Sequence, residues 1–550
     1  MTAAEAAQAA RPRWTWADTN LWYPGLLRAG VRVDRCHDLR LAHRVLRGSA
    51  WSASSALARR QADPWDTLQP VPAGGTQPPD DDGGTLFELD PAPRGAGPGG
   101  GRDVVLDGPA CRAELDAQLD AVATSGAPGR LRLLLAAESA GALAAAEMHR
   151  AGVPWDAGRH DEVLRDQLGP RPGPGARPER MERLAADVRA ALDAPTLNPD
   201  SMPDVLRALR RTGLAVTSTR SWELRQVDHP AIEPLLAYKK LSRLFSANGW
   251  AWLDAWVDHG RFRPEYVVGG VVTGRWGSSG GGALQVPKQV RDAVRADPGW
   301  LFVVADAAQL EPRVLTGLAH DDRMAEAGRG TDLYQGMVDT AVVDSRAHAK
   351  VGMLGAMYGG TTGASAAVLP RLARAFPQAL ALVEDAARTG ERGDVVTTLL
   401  GRTSPRPGAS WHETQVLAQS DDADAGAESK ARAQTRAWGR FTRNFVVQGT
   451  AAEWALCWIA EVRRRLWALG VVDDDTPGLA AAPFTSRPHL VYFLHDELVV
   501  HTPAALADAV AAEVRDAAAA SGRLLFGDYP VDFPVSVGVA ASYGDAKDGG

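Results

Sequence analysis

Two apolar runs that end on acids constrain this chain more than any other feature. The first, VVADAAQLEPR, carries Asp306, Gln309, Glu311 and Arg313; the second, VYFLHDELVVHTP, carries His495, Asp496 and Glu497. Residues 301–305 read as a buried strand ending on Asp306. Residues 490–494 and 498–502 read as two β runs flanking the second acid group, a hairpin with carboxylates at its tip. Two strand-end carboxylates side by side can hold a pair of divalent cations about 3.5–4 Å apart. Such a pair lowers the pKa of an attacking hydroxyl and stabilises the leaving oxygen in phosphoryl transfer. Taken singly, either Asp equally suits a turn residue that merely caps a strand.

Between these runs lies SRAHAKVGMLGAMYGG, which sets Arg346, Lys350, Leu354 and Tyr358 at successive i+4 steps. With 3.6 residues per turn, Arg346 and Lys350 share nearly one face of a helix over 345–358. Two cations one turn apart suit a triphosphate, though a solvated basic stripe has the same pattern. The Gly359–Gly360 pair is a helix stop. Lys350 carries added weight because the chain has six lysines among its 60 basic residues, and it is the only one between residues 289 and 429.

The 550 residues are enough for three to four domains at roughly 150 residues each, and 45% hydrophobic content excludes global disorder. Net charge is -7, which excludes the uniformly basic signature of a simple nucleic-acid-binding domain. Residues 201–300, however, hold 14 Lys+Arg against 9 Asp+Glu, a local excess suited to tracking phosphates. The three cysteines, Cys36, Cys111 and Cys457, lack paired spacing, which argues against a disulfide framework or a structural zinc. No secretory leader and no apolar run of about 18 residues is visible, so a soluble intracellular protein without membrane contact is expected.

Residues 69–101 are rich in Pro, Gly and Asp and read as a linker; 168–178 form a shorter break. Helices are expected over 110–123, 141–148, 178–192, 201–212, most of 230–257, and 445–466. Residues 264–273 and 531–539 read as strands, and 409–435 as a polar surface insertion. Helices and strands without regular alternation give an α+β class.

The order of motifs resembles family A DNA polymerases, the class of bacterial DNA polymerase I. It runs Thr273–Gly274–Arg275, then Asp306 to Arg313, then Arg346 to Gly359, then QGTAAE at 448–453, then His495–Asp496–Glu497. The resemblance covers roughly residues 140–546. It implies a right hand of palm, fingers and thumb preceded by a reduced RNase H-like domain of the 3′→5′ exonuclease type. The implied boundaries are 1–125 for the exonuclease-like domain, 126–260 for thumb and palm entry, 261–320 for palm, 321–436 for fingers and 437–550 for palm.

The resemblance also implies roles. Asp306 and Asp496, with the Ala307 carbonyl, would hold two Mg²⁺ (Mn²⁺ able to substitute), and Glu497 would be an accessory acid. Lys350 and Arg346 would grip the triphosphate of a dNTP, with Lys350 also a candidate proton donor. Tyr358 would stack near the nascent pair. Gln309 and Glu311 would line the sugar pocket, where a carboxylate beneath C2′ leaves no room for a 2′-hydroxyl. Arg275, Arg313, Arg440, Asn444, Gln448 and His495 would contact primer-template DNA; minor-groove acceptors are common to all correct pairs. Lys239, Lys240 and Arg243 in YKKLSR would track duplex phosphates from the thumb.

The expected activity is template-directed, DNA-dependent DNA synthesis by a monomer in the cytoplasm at the nucleoid, in repair or gap filling, with a separate 5′ nuclease and ligase. A single-subunit RNA polymerase relative is disfavoured by Glu311, and an inactive DNA-binding scaffold by the retained acids and cations. Two positions depart from the family. Leu354 stands where an aromatic is usual, and Tyr334 stands where a phosphate-contacting His is usual. In the N-terminal region, Asp18 (WTWADTN) and Asp38 (RCHDLRLAH) have no DxE pair before them, so an inactive exonuclease remnant with structural aspartates is expected.

Overall fold

In the computed structural model, which describes residues 11–71, 107–282, 286–330, 332–360, 363–420, 424–472 and 478–548, the described residues form many helices, one four-stranded antiparallel sheet and three smaller sheets. Most of the 69–101 linker lies outside the described residues.

The N-terminal region contributes strands β1 (Arg13–Trp16) and β2 (Arg35–Asp38), paired in parallel, and packs them on helix α1 (Pro128–Ala151). Asp18 and Asp38 each cap a helix through their side chains, and Asp18 also pairs with Arg40 at 2.5 Å. The expected short helix at 141–148 is part of α1. Its small Ala and Gly residues allow close packing, and Glu138 and Glu147 are buried within it.

Helices Glu179–Ala191, Met202–Arg211 and α2 (Ile232–Asn248) form a satellite cluster on Val188, Leu209 and Leu235. The 264–273 run makes a strand only over Glu265–Val267. Gly269, at φ +62°, then turns the chain out of the extended region into the Thr273–Gly274–Arg275 loop.

The main sheet contains β3 (Trp300–Ala307), β4 (His489–Leu494), β5 (Glu497–Pro503) and β6 (Val535–Ala540), in the order β6-β3-β5-β4. Near-continuous apolar composition suits strands buried on both faces. β5 is buried at every position. The register opposes Asp306 to Glu497 in β5 and to Ser536 in β6. β6 starts later than the expected strand at 531 because the chain passes Pro534 before pairing.

After β3 come α3 (Leu310–Ala319), α4 (Arg346–Tyr358) and α5 (Ala425–Ala468), a 44-residue helix. The 409–435 segment is therefore two helical pieces: Ala409–Ala418, with no buried residue, and the start of α5 capped by Asp424. Polarity there marks solvated helix faces carrying pairs such as Glu428–Arg432 at 2.9 Å. Helix α6 (Ala507–Phe526) packs on α5, and α7 (Tyr543–Asp548) lies on β6 and β3. Gly538 makes the last contact possible, since a Cβ there would meet the Ala546 carbonyl oxygen at 1.7 Å. Among the described residues, no helix is long and apolar enough to cross a membrane.

The α5–α6 interface is anchored by Trp454 and Trp458, both fully buried, with ring centroids 5.3 Å apart. The Trp458 indole donates to the Val514 carbonyl at 3.1 Å. Trp458→Ala removes both the packing and this donor, so a loss of about 3–5 kcal/mol is expected. Urea denaturation followed by circular dichroism measures it; a loss below about 1 kcal/mol would mean the helix pair does not depend on this ring.

Candidate active site

Asp306 sits near the end of β3, and Asp496 occupies the turn between β4 and β5. That turn is tight. His495 takes a left-handed φ of +57°, and the Asp496 amide donates to the Leu494 carbonyl at 2.7 Å. The Ala307 amide then donates to the Asp496 carbonyl at 2.8 Å, which ties the turn to β3 and brings the two aspartates together.

Burial, and then the charge of Asp306, push the Asp496 carboxyl up to about 6. Burial also raises Asp306, against the opposing pull of Lys547. No other side chain bonds to Asp496 among the described residues. Two facing carboxylates at elevated pKa, one without a protein partner, are a donor set that fits a hard divalent cation. Glu497 differs. It is buried, accepts a hydrogen bond from Tyr543, and pairs with Lys547.

Around the acids, several expected residues meet. Glu311 accepts from Arg275 at 2.5 Å and from the Tyr358 hydroxyl at 2.8 Å. Burial and the Glu311 charge push the Tyr358 phenol up to about 12, so it is a neutral donor near pH 7. Burial and then Arg275 lower His495 to about 4, so its ring is neutral too. Thr273 donates to Gln448 at 2.9 Å, joining the Thr273–Gly274–Arg275 loop to α5. Helix α4 ends at Gly359, at φ +75°, where a Cβ would strike the Arg440 side chain at 2.6 Å. Asn444, one turn along α5, is buried, and its amide nitrogen has no hydrogen-bond partner among the described residues.

The α4 cations are held differently. Lys350 is exposed and has no partner among the described residues. Arg346 binds Asp332 at 2.7 Å, and its guanidinium lies 5.7 Å from the centre of the Tyr334 ring. Burial drives Tyr334 up to about 12, so this contact is a cation–π one with a neutral phenol. Gln309, at φ +51°, reaches the same loop by accepting from the Leu333 amide at 3.1 Å. Leu354 is 38% exposed on the same helix.

Two residues expected to contact DNA make internal contacts. Arg313 is 1% exposed and donates to the carbonyls of Ala308, Gly328, Gly330 and Asp532, so it braces the loops behind the acids. Lys239 is half-buried and donates to the Thr219 carbonyl within its own helical cluster. Lys240 and Arg243 are exposed on α2. The structure adds Asp332, Tyr543 and Lys547 to the neighbourhood. Lys547 had a signal, as one of six lysines. Asp332 and Tyr543 had none, because their roles come from contacts distant in sequence. Glu453, the acid of QGTAAE, is buried away from solvent; burial pushes it up to about 7, and it accepts from Thr398 and the Leu400 amide.

Comparison with known proteins agrees with this geometry. The thermostable DNA polymerase I of Thermus filiformis is 27% identical over 414 residues, covering 67% of this chain and 44% of that protein. DNA polymerase I of Chloroflexus aurantiacus is 26% identical over 342 residues, covering 56% of this chain and 32% of its own length. This chain therefore spans less than half the length of these relatives. Among solved structures, the POL domain of Pol1 from M. smegmatis, in complex with DNA primer-template and dNTP, matches with a TM-score of 0.61. It is 19% identical and covers 80% of this chain and 74% of that one, a likeness of fold. The model of DNA polymerase family A matches residues 201–545, and with more than half its length so matched, the chain belongs to that family.

Proposed function

We propose that this protein is a template-directed DNA polymerase that adds dNTPs to a primer 3′-hydroxyl. The observation that carries the reading is the pair of buried-edge aspartates, Asp306 and Asp496, with Asp496 lacking a protein partner. Enzymes of this family depend on metal ions. Asp306, Asp496 and the Ala307 carbonyl would hold two divalent cations, Mg²⁺ in the first instance, which supply Lewis-acid activation of the hydroxyl and charge stabilisation of the departing pyrophosphate.

The remaining work belongs to the chain's own groups. Lys350 is free to meet the triphosphate, and Arg346 joins it by exchanging Asp332 for phosphate oxygens. Tyr334 orients that guanidinium from its ring face. Glu311, fixed between Arg275 and Tyr358, walls the sugar pocket and favours a deoxyribose over a ribose. Arg275, Arg440, Asn444, Gln448 and His495 line the side where template and primer would lie. Lys240 and Arg243 on α2 offer charge to duplex phosphates.

The N-terminal region reads as a catalytically reduced exonuclease-like element, because Asp18 and Asp38 are engaged as helix caps. A repair or gap-filling role at the nucleoid, as a monomer and with a separate 5′ nuclease and ligase, completes the reading.

Primer extension with Mg²⁺ tests the function. Wild type is expected to extend with dNTPs far better than with rNTPs. Asp496→Ala is expected to lose about 10³-fold in rate, roughly 4 kcal/mol of transition-state stabilisation. No extension by wild type would defeat the proposal, and efficient use of rNTPs would favour a ribonucleotide enzyme.

Leu354 generates a second expectation. Restoring an aromatic with Leu354→Phe should change the ratio of ddNTP to dNTP incorporation by about tenfold or more. Equal ratios in both proteins would remove Leu354 from sugar selection.

The elevated Asp496 gives a pH dependence. Its carboxyl moves from 3.8 to about 6 on folding, so the folded protein binds the extra proton between those values. Stability of the metal-free protein therefore falls as pH rises through that window, and the full penalty stands above pH 6. In EDTA, Asp496→Asn should resist urea better than wild type at pH 8, by on the order of 1–3 kcal/mol. The two should converge near pH 4. An unchanged difference across that range would mean that Asp496 carries no electrostatic strain.

A further inference from the structure

We propose that Lys547 is a positioning residue of the acid cluster: its ammonium engages Glu497 and so keeps that carboxylate out of the cation site formed by Asp306 and Asp496. This rests on the metal-dependent reading given above.

Tyr543 and Lys547 stand four residues apart on α7, so they share a helix face, and both reach Glu497. Tyr543 donates to one carboxylate oxygen and Lys547 pairs with the other. One oxygen of this buried acid thus accepts a hydrogen bond and the other faces the ammonium, both from one helix. The Lys547 nitrogen also lies 3.7 Å from Asp306 Oδ2.

The helix that carries the ammonium is firmly seated. The Tyr543 amide donates to the Val294 carbonyl at 2.9 Å, and Ser542 bonds Asp545 at 2.8 Å. Arg291 lies 5.5 Å from the Tyr543 ring centre, and Gly538 lets α7 lie directly on β6.

Three carboxylates, Asp306, Asp496 and Glu497, would otherwise face one small volume. A buried carboxylate without a partner is strongly unfavourable and would turn toward any cation within reach. With Lys547 present, Glu497 has no need of a metal, and the cation site is left to two aspartates. The cluster then carries one positive charge that an incoming divalent cation must tolerate. Removing that charge should therefore tighten metal binding.

Direct titration with Mn²⁺, read by electron paramagnetic resonance of the free ion without DNA or nucleotide, tests this. Lys547→Met should bind Mn²⁺ about three- to tenfold more tightly than wild type, the order expected for one unit charge beside the site. Lys547→Arg, which keeps the charge, should stay within about twofold of wild type. Affinity in Lys547→Met that is unchanged or weaker overturns the proposal, because a purely structural lysine would leave the site's charge unfelt.

If Lys547→Met does not fold, the double variant Glu497→Gln with Lys547→Met removes the buried charge pair together. It should return to wild-type affinity; weaker binding would make Glu497 itself a ligand and overturn the proposal. Asp496→Ala in the same titration should lose the tight site. Retention there would defeat the assignment of the metal site itself, an outcome distinct from failure of the Lys547 role.

Discussion

The hydrogen bond from the Ala307 amide to the Asp496 carbonyl holds the site together. It fastens the β4–β5 turn to the end of β3 and brings two like charges into proximity; burial first, and then the Asp306 charge, raise the Asp496 carboxyl. Holding that repulsion requires a rigid frame. The frame is the register of β5 on β3, with apolar residues on both strands, and the tryptophan-rich α5 and α6 behind it. A slip of one residue would turn Asp306 to the opposite face of the sheet.

Most other acids around the site have internal cations or donors. Glu311 has Arg275 and Tyr358, Asp332 has Arg346, and Glu497 has Lys547 and Tyr543. Asp496 is the exception. A surface of paired acids with one left over is what a site for an external cation requires, since every internal pair lowers the number of groups competing for it. The same pairings orient Arg275 and Arg346, so neutralisation and positioning are one device. In the proposed function, exchange of Asp332 for a phosphate would leave Arg346 charged and paired in both states, which would limit the desolvation penalty of binding.

The acid-tipped strands and α4 with its glycine stop were legible because period and end residues carry them. The reach of side chains across the fold was not. Arg313 sits in a motif, yet it spends its donors on four carbonyls, two of them in the Gly328–Gly330 loop and one at Asp532. Nothing local to 306–313 indicates those partners. The 409–435 region misleads because exposed helices are as polar as loops, and only their caps and i,i+4 pairs distinguish them. Lys547 stood out by rarity in the sequence, but its partner is Glu497, which only the packing of α7 on β6 and β3 brings near.

The N-terminal region is held to the rest by a charge cluster that is costly to break. Arg463 of α5 binds Glu147 of α1 through two nitrogens, at 2.6 and 2.8 Å, and donates to the Asp34 carbonyl at 2.8 Å. Tyr23 closes the cluster on Glu147 at 2.5 Å, and Arg32 adds a further contact at 3.2 Å. Burial pushes the Glu147 carboxyl up, but Arg463 and Arg32 outweigh it and hold it below the usual range. Separating the region would expose Tyr23, Leu27 and their apolar neighbours and leave Glu147 and Arg463 without Tyr23, Arg32 and the Val33 and Asp34 carbonyls. Breaking a buried pair costs about 3–5 kcal/mol, while an apolar replacement of the whole set is often neutral. The cluster therefore binds this region to α5, the helix that also carries Arg440, Asn444 and Gln448 toward the acids. A segment whose aspartates serve as helix caps still supports the site, by fixing the far end of the helix on which that side of the cleft is built.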